Sequence, residues 1–261
     1  MSINGKVAVI TGGAGGIGRA AAHRFAKAGA RVVIADSDEE AGQKVLSELT
    51  NGGFQAEYIQ CNVAEGLDVH NLIAVTLEAF GQVDILLNAS SIRDNKPFMK
   101  LSEQEFSSIL DVNLKGAFLL GKSVARQMIK QVEKGSEPGA IIFISSTNAV
   151  LADPSAVAYC VANGGLGQLT KAMAQALAPH GIRVNAIGPS NLRRDSDGKV
   201  ISTGDDNENS QTPMGRYCEP DEIAAIATFL AGKDASYITG QTIYADGGAM
   251  SMRRAIKQPD S

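Results

Sequence analysis

The stretch KVAVITGGAGGIG, residues 6–18, decides the fold of this chain. Its first seven residues form a largely apolar run that ends in glycine, which predicts a buried β-strand. A glycine-rich turn follows, and residues 17–29 place apolar side chains at helical spacing. A strand, a glycine turn and a helix in this order bring free main-chain N–H groups and the positive end of a helix dipole to one point. The stretch therefore predicts a phosphate-binding turn at the first strand of an α/β sheet.

The same alternation of strand and helix continues along the chain. Strands are predicted at 31–36, 55–61, 83–90, 139–146, 182–188 and 241–248, and helices at 37–53, 67–81, 102–132 with a break near 111–116, 155–179 and 220–231. Strands that read as continuous apolar runs are typical of a parallel sheet covered by helices on both faces. We expect one domain over residues 1–261, a doubly wound parallel sheet of Rossmann type with about seven strands.

One segment departs from this alternation. Residues 190–213 are polar, contain glycine and show no clear period, so we expect a mobile substrate loop over the end of the sheet. Arg193 and Arg194 in this loop either bind an acidic substrate or are solvated and balanced by Asp195 and Asp197.

The composition excludes several kinds of function. Of 261 residues, 44% are hydrophobic and 20% are charged, and the net charge is −4, so nucleic acid and anionic membranes are not expected partners. No apolar run reaches bilayer length and no signal peptide is apparent. Three cysteines without a CxxC pair and three scattered histidines predict neither a disulfide framework nor a metal site. We therefore expect a cytoplasmic protein.

A carboxylate ends the second predicted strand. Asp36 lies 24 residues after Gly12, where it can accept hydrogen bonds from the hydroxyls of an adenosine ribose. Its charge repels a 2′-phosphate, and no Arg or Lys follows within three residues, so NAD is preferred over NADP. Two alternatives stay open: the glycine turn is purely structural, or Asp36 only caps the next helix.

Several motifs together resemble one family. TGxxxGxG at 11–18, NAS at 88–90, DVNLKGAF at 111–118, a serine thirteen residues before Tyr159, and DGG at 246–248 resemble the short-chain dehydrogenases/reductases. The resemblance covers the chain from Lys6 to Gly248. It implies a nicotinamide cofactor, and hydride transfer between that cofactor and a small carbonyl or alcohol substrate.

The resemblance also assigns roles to residues. The expected cofactor-binding residues are Thr11, Gly12, Gly16, Ile17, Gly18, Asp36, Asn62, Val63, Asn88, Tyr159, Asn163 and Pro189. Within that set, Asn62 and Val63 match positions that contact the adenine, and Asn62 replaces the usual aspartate. Its amide oxygen can still accept a hydrogen bond from the adenine amino group. Pro189 begins the segment that covers the nicotinamide.

The catalytic residues follow from the same resemblance. Tyr159 matches the tyrosine that donates or accepts the proton, and Ser146 matches the serine that hydrogen-bonds the substrate oxygen. Asn113 matches the asparagine whose main chain holds a water in a proton relay. No metal is implied.

Three departures from the family pattern lie near the nicotinamide end of the expected cofactor path. Family members place a lysine four residues after the tyrosine, where this chain has Asn163, which we count with the catalytic residues. The family's NNAG is replaced by NASS at 88–91, and Ser190 stands where a glycine commonly follows the proline. The phosphate and adenosine end is nearly intact, so the chain is expected to bind NAD with altered chemistry.

The missing lysine has a calculable consequence. In the family pattern it hydrogen-bonds the nicotinamide ribose and stabilises the ionised tyrosine. Asn163 can donate to the ribose but carries no charge. A unit charge about 4 Å away at an effective dielectric of about 20 is worth about 4 kcal/mol to the phenolate. The motif offers no substitute cation, because Lys171 lies about 12 Å further along by helical rise.

Two functions follow as hypotheses. The first is an NAD-dependent enzyme that interconverts an alcohol and a ketone, with weakened activity or an alkaline optimum. The second is a non-catalytic NAD-binding protein that acts as a sensor or a partner subunit.

Selectivity and assembly give further expectations. Substrate choice should depend on residues 190–213, on residues 92–98, and on Asn148 and Leu151, which predict a mixed polar pocket. The Cys160 thiol beside Tyr159 is expected to fill space. The helices at 102–132 and 155–179 either pair across subunits or pack on the sheet. The resemblance implies a homotetramer or homodimer, and the C-terminal tail is either disordered or an interface strap.

Overall fold

A computed structural model describes residues 3–93, 95–190, 192 and 212–251 of the chain. Within these residues the strands are β1 Val7–Thr11, β2 Arg31–Asp36, β3 Ala56–Gln60, β4 Ile85–Asn88, β5 Ala140–Ile144, β6 Arg183–Pro189 and β7 Thr242–Ala245. The α-helices are α1 Gly16–Lys27, α2 Glu39–Asn51, α3 Gly66–Phe80, α4 Glu103–Leu110, α5 Gly116–Glu133, α6 Val157–Leu177 and α7 Pro220–Ala231. Each predicted strand and helix appears, with its ends shifted by a few residues.

The strands form one parallel sheet in the order β3-β2-β1-β4-β5-β6-β7. The order reverses between β1 and β4, because the chain first builds outward through β2 and β3 and then returns to the other side of β1. The expectation of a doubly wound Rossmann-type sheet is confirmed. In such a sheet the loops at the carboxyl ends of the two strands beside the reversal diverge and leave a crevice for a ligand.

Side chains alternate between two hydrophobic cores, one on each face of the sheet. Along β1, Ala8 and Ile10 pack with α1, α2 and α7, while Val9 packs with α3, α5 and α6. Phe25 of α1 is fully buried on the first face and Phe143 of β5 on the second. Burying one such side chain is worth about 1.5–3 kcal/mol, so both layers contribute to the same sheet.

The edge strands differ from the expectation of continuous burial. β1, β4 and the interior of β2 and β6 are buried, whereas β3 and β7 are only partly covered and Glu57 of β3 is exposed. Each edge strand pairs with a single neighbour among the described strands, so one of its two edges has no strand beside it. Continuous apolar sequence therefore indicates burial correctly for the central strands and overstates it for the two edges.

The predicted break in helix 102–132 is a π turn. α4 begins with a capping box between Ser102 and Glu105 and ends at Leu110. Residues Asp111–Lys115 then form one turn of π-helix before α5 begins at Gly116. Single π turns are concentrated at functional sites because they shift the hydrogen-bond pattern of a helix by one residue.

Two predicted segments lie mostly outside the described residues. Of the expected loop at 190–213, only residues 190, 192, 212 and 213 are described, and Leu192 forms a parallel bridge with Cys218. Arg193, Arg194 and nearly all of the C-terminal tail are also outside them. None of the helices described is long and apolar enough to cross a membrane.

Candidate active site

A large cavity opens at the carboxyl ends of the strands, where the order of the sheet reverses. Its volume is about 1580 Å³. Its walls combine the turn after β1, the ends of β2, β4 and β6, and the first turn of α6. The sequence-predicted residues on its walls are Gly12, Gly16, Ile17, Asp36, Asn62, Val63, Tyr159 and Pro189. Ligands of doubly wound folds bind at this location, and this volume can enclose a dinucleotide.

The glycine turn presents an uncapped helix N-terminus to the cavity. Gly15 is the N-cap residue of α1, so no side chain caps the helix, and the first turn carries no acidic residue. Apart from its chain neighbours and the backbone of α1, no atom of the described residues lies within 4 Å of the place where a Gly15 side chain would begin. The first N–H groups of α1 are therefore available to an anion such as a pyrophosphate.

Gly12 and Gly18 have a packing role that the sequence did not distinguish. A Cβ on Gly12 would lie 2.6 Å from the main-chain carbon of Ala89, and Gly12 has a φ of +65°. A Cβ on Gly18 would lie 2.0 Å from the Gly12 oxygen. These two glycines let the turn after β1, the loop after β4 and α1 approach each other closely. Gly18 does not itself line the cavity.

Thr11 and Asn88 hold the reversal point together. The Thr11 hydroxyl donates to Asn88 Oδ1 over 2.7 Å, and the Ser90 N–H donates to the same oxygen over 3.2 Å. Both side chains are almost fully buried, at 0% and 2% exposure. Neither residue lines the cavity. Their hydrogen bond joins the ends of β1 and β4 behind the cavity wall.

Asp36 lines the cavity at the end of β2, and its carboxylate is held by two main-chain hydrogen bonds. Its Oδ2 accepts from the Ala14 N–H over 3.0 Å and its Oδ1 accepts from the Asp38 N–H over 3.1 Å. The helix-capping alternative is wrong, because the N-cap of α2 is Asp38, whose side chain accepts from Ala41. Burial and then the Asp36 charge raise the pKa of the nearby Tyr58 to about 12.

The pocket expected to hold adenine is formed by the residues after β3. The main-chain N–H of Asn62 donates to Asp68, and the Asn62 side-chain oxygen accepts from the Ala64 N–H over 3.1 Å. One lone pair of that oxygen is left for a ligand amino group. Cys61 lines the same wall, and burial raises the pKa of its thiol to about 12, so it stays protonated.

Tyr159 lines the other end of the cavity, whereas Ser146 follows the lining residue Ser145 and does not itself line it. Tyr159 is in the first turn of α6, is 7% exposed, and lines the cavity. Its hydroxyl makes no hydrogen bond to any residue that the structure describes. The Ser146 hydroxyl is engaged with Asn148, donating to Oδ1 over 3.2 Å and accepting from the N–H over 3.1 Å. Ser146 must therefore leave Asn148 to reach a substrate oxygen.

Asn113 anchors the loop after β4. It is buried in the π turn, and its amide donates to the Ile92 carbonyl over 2.8 Å and accepts from the Ile92 N–H over 2.9 Å. The sequence assigned its main chain to a proton relay, which nothing in the structure tests. The side chain has a clear task, because it fixes the segment that follows Ser91 against the helix.

Asn163 faces Tyr159 and not the cavity. It is 4% exposed, it is not among the cavity-lining residues, and its Nδ2 donates to the Tyr159 carbonyl over 2.9 Å. The expected hydrogen bond to a ribose is therefore open only to the second hydrogen of that amide. Within the described chain, Asn163 acts as a neutral brace on the first turns of α6.

Two residues that line this end of the cavity were missed by the sequence analysis. Ser145 is buried, and its hydroxyl has no hydrogen-bond partner among the described residues. The Arg93 guanidinium carbon lies 5.1 Å from the centroid of the Tyr159 ring. Arg93 falls inside the predicted selectivity segment 92–98, but no sequence spacing connects it to Tyr159. Only the fold brings the two together.

Arg93 is itself held by an acid. Its Nη2 donates to Asp153 Oδ2 over 2.8 Å, and its Nε donates to the Asn95 side chain over 3.3 Å. Hydrogen bonds from Ser155, with a further contribution from the Arg93 charge, lower the pKa of Asp153. Cys160 accepts from the Asp153 N–H over 3.4 Å and so packs as a structural side chain.

The fold and the cavity are typical of α/β proteins that bind a dinucleotide. A family model described as Enoyl-(Acyl carrier protein) reductase matches residues 12–250. A 3-oxoacyl-(acyl-carrier-protein) reductase of Staphylococcus epidermidis is 36% identical over 245 residues, which cover 93% of this chain and 98% of that protein. The corresponding reductase of Thermotoga maritima is 31% identical over 248 residues, covering 95% and 99%.

A solved structure agrees with these sequence matches. A dehydrogenase/reductase from Sinorhizobium meliloti superimposes with a TM-score of 0.86 at 33% identity, covering 95% of this chain and 96% of that one. The chain belongs to the short-chain dehydrogenase/reductase family of oxidoreductases. The open N-terminus of α1, the Gly15 position without a side chain, and the carboxylate of Asp36 fit the nicotinamide cofactor of this family.

Proposed function

We propose that this chain is an NAD-dependent oxidoreductase that interconverts an alcohol and a ketone by hydride transfer. The observation that carries the proposal is that Tyr159 and Asp36 line one cavity with the glycine turn before α1. A proton donor and a site for the cofactor phosphates are thereby part of one enclosure. The names of the related reductases, which act on a 3-oxo group, support a carbonyl substrate.

Each residue has a defined task in this proposal. The N–H groups at the start of α1 hold the pyrophosphate, and Asp36 accepts from the ribose hydroxyls. Bound nicotinamide supplies or accepts the hydride. Tyr159 gives its hydroxyl proton to the carbonyl oxygen in reduction and takes it back in oxidation. Ser146, once it has left Asn148, donates to the same oxygen and orients it.

The preference for NAD over NADP rests on Asp36. A carboxylate at this point attracts ribose hydroxyls and repels a phosphate on the 2′ position. Its two hydrogen bonds to the main chain keep it at the cavity wall. Lys44 and Arg19 also line the cavity, but Arg19 is paired with Glu48 over 2.9 Å, which lowers its attraction for a phosphate.

A low rate at neutral pH, or a rate that rises in alkali, is part of the proposal. Asn163 supplies no charge where the family has lysine, and its amide is occupied by the Tyr159 carbonyl. The phenolate needed for alcohol oxidation is then less favoured than with a lysine present.

A specific observation favours the second function, a non-catalytic NAD-binding protein. Asn163 and Ser146 each hydrogen-bond a neighbour within the chain, and neither side chain lines the cavity. The cofactor half of the site needs no such rearrangement. A sensor or partner subunit would need only that half.

The two functions are separated by binding and turnover measurements on the same preparation. Calorimetry measures NAD and NADP affinity, and NADH absorbance follows alcohols and ketones, 3-oxoacyl thioesters included, from pH 6 to 10. The proposed enzyme binds NAD more tightly than NADP and turns over at least one substrate, faster in alkali. NAD binding without turnover at any pH would leave the non-catalytic protein, and absence of binding would remove both.

We also propose a cytoplasmic homotetramer or homodimer. Cys61, Cys160 and Cys218 are free, as suits a reducing compartment. Phe118 of α5 and Val161 of α6 are 44% and 46% exposed, which supports contact between these helices and another copy. Light scattering on the purified chain gives the number of copies, and a monomer at micromolar concentration would contradict this assembly.

A further inference from the structure

We propose that Arg93 supplies part of the positive charge for Tyr159 that the family's lysine supplies elsewhere. The proposal rests on the proposed function, because it concerns the same tyrosine. It assigns to Arg93 the part of a positioning residue that acts through Tyr159. Asn163 then keeps only the bracing of α6, and the charge comes from the loop after β4.

The geometry places a guanidinium against the tyrosine ring. The Arg93 guanidinium carbon lies 5.1 Å from the ring centroid, within the range of a favourable cation–π contact. Arginine stays charged at any pH at which the protein is folded. When the phenol ionises, the ring carries the negative charge together with its oxygen. A cation that attracts the neutral ring therefore attracts the phenolate more strongly.

The charge is held in place by several independent contacts. Asp153 and Asn95 bind the Arg93 side chain, and Asn113 binds the main chain of the preceding residue, Ile92, with two hydrogen bonds. Arg93 retains only 29% of its side-chain exposure. Solvent therefore screens part of the Arg93 charge, while the contacts with Asp153 and Asn95 hold the guanidinium beside the ring.

Other charges near α6 do not offer the same contact. Asp153 partly offsets Arg93, because the two form an ion pair. On the elements packed against α6, Asp111 of the π turn is paired with Lys115 over 2.8 Å, and Glu105 of α4 is paired with Lys96. Among the described residues, Arg93 is the one cation in contact with the Tyr159 ring.

The same contacts also have a purely structural explanation, as a tether between two loops. The Arg93–Asp153 pair joins the loop after β4 to the loop before α6, and this tether alone would explain its presence. The charge explanation and the tether explanation predict different results when a positive charge is introduced at another position. A lost charge can be replaced from a second position beside Tyr159, whereas a lost tether cannot.

The first test measures the ionisation of Tyr159 and needs no turnover. The near-ultraviolet absorbance of tyrosinate is titrated in the full chain, in Arg93→Gln and in Arg93→Lys, each against its own Tyr159→Phe counterpart. The difference isolates Tyr159 from the other tyrosines. At a given pH the ionised fraction is expected to fall about tenfold in Arg93→Gln and to stay within about threefold in Arg93→Lys. An unchanged titration in Arg93→Gln would overturn the proposal.

The second test measures turnover. Arg93→Gln is expected to lower kcat at neutral pH about tenfold with little change in the KM for NAD, and to lose less at high pH. The matched control is Arg24→Gln, which removes an arginine paired with Asp221 on the other face of the sheet and should leave kcat unchanged. Equal losses in Arg93→Gln and Arg93→Lys, each with a lower melting temperature, would indicate a tether.

The third test is a double-mutant cycle with Asn163→Lys. The lysine should raise the neutral-pH rate by a larger factor in the Arg93→Gln background than in the unmodified chain, because it then replaces a missing charge. Equal factors in both backgrounds would contradict the proposal. If no variant turns over any substrate, the proposed function fails, and the tyrosinate titration alone decides whether Arg93 acts on Tyr159.

Discussion

Tyr159 and Asn163 lie one helical turn apart, and that spacing explains both their contact and its limits. Residues four apart share a helix face, so a short amide at 163 reaches back to the Tyr159 carbonyl, as the 2.9 Å hydrogen bond shows. A lysine at the same position has a stem long enough to extend past the main chain. The substitution thus changes the reach of the side chain as well as its charge.

Tyr159→Phe tests the proton donor directly. Removing the hydroxyl should lower kcat by a factor of about 100 or more, since positioned acid–base groups contribute about that much. NAD affinity should stay within about threefold, because the phosphate and adenosine contacts lie at the other end of the cavity. Steady-state kinetics and calorimetry on the same variant measure both. A variant with full activity would assign the proton to another group.

Asp36→Asn tests the cofactor preference. The amide keeps one acceptor oxygen for the main-chain bonds and removes the charge that opposes a 2′-phosphate. The ratio of NAD affinity to NADP affinity should fall about tenfold, equal to about 1.4 kcal/mol. Calorimetry with both nucleotides measures the ratio, and Asp38→Asn, at the helix cap two residues later, is the control. A ratio that moves equally in both variants would mean that the effect is not specific to Asp36.

At this scale eight of the site residues named from the sequence line the cavity, and the contacts that only folding makes were missed. Glycine spacing and the carboxylate after β2 indicated Gly16 and Asp36 because local geometry determines their roles. Arg93 reaches Tyr159 across 66 positions of sequence, and no spacing rule connects them. Thr11 and Asn88 were assigned to the cofactor, yet they bond to each other, since a motif shows that a residue type is needed without showing for what.

At the scale of the elements, the lack of a cap at the start of α1 lowers the stability of the helix and favours the binding of an anion. A helix is normally capped by a side chain at this position, and Gly15 supplies none. The helix gives up a cap and gains an open anion site. The missing cap makes the fold less stable, and the open N–H groups increase the affinity for an anionic ligand.

Gly15→Asp makes this exchange measurable. The backbone at Gly15 is extended, with a φ of −146°, so aspartate fits there without strain. The cap and the added negative charge should stabilise the fold by about 0.5–1 kcal/mol in denaturant unfolding. The same charge should weaken NAD binding at least about tenfold, because it occupies the phosphate position. Gly15→Ala, which adds no charge, should weaken binding less. Tighter binding in Gly15→Asp would place the phosphates elsewhere.

The elements themselves were largely predictable, and the reason is local. Apolar period and glycine stops gave every strand and helix, and the glycine in DVNLKG indicated the break before α5. The π turn at that break was not predictable from the sequence, and neither were the two hydrogen bonds that join Asn113 within it to Ile92 in the loop after β4. The exposure of β3 was likewise not predictable from its own sequence, since its place at the edge depends on the order of all the strands in the sheet.

At the scale of the molecule, acid should loosen the segment that leads into α7. Hydrogen bonds from Arg216, with that of the Glu219 N–H, lower the pKa of Glu222 from 4.5 to about 2. A carboxyl with a lowered folded-state pKa stabilises the fold above its unfolded value. That contribution is lost as the pH falls from about 4.5 through about 2.

Glu222→Gln should therefore cost about 1 kcal/mol or less at pH 7, because the Glu222 side chain is 44% exposed and solvent screens the pair. The difference from the unmodified chain should vanish near pH 2. Denaturant unfolding at several pH values measures it. Glu78→Gln is the control, as that side chain makes no hydrogen bond or ion pair within the part of the chain that the structure describes. A cost independent of pH would mean that packing, and not charge, is lost.

The two hydrophobic layers divide the work of this protein between the faces of one sheet. α1, which begins at the proposed phosphate site, packs in one layer, and α6, which carries Tyr159, packs in the other. Substitutions in the core beneath Tyr159 can then accumulate without weakening the proposed coenzyme site. The proposed catalytic end and the proposed nucleotide end therefore rest on different cores, and a change in one core need not alter the other.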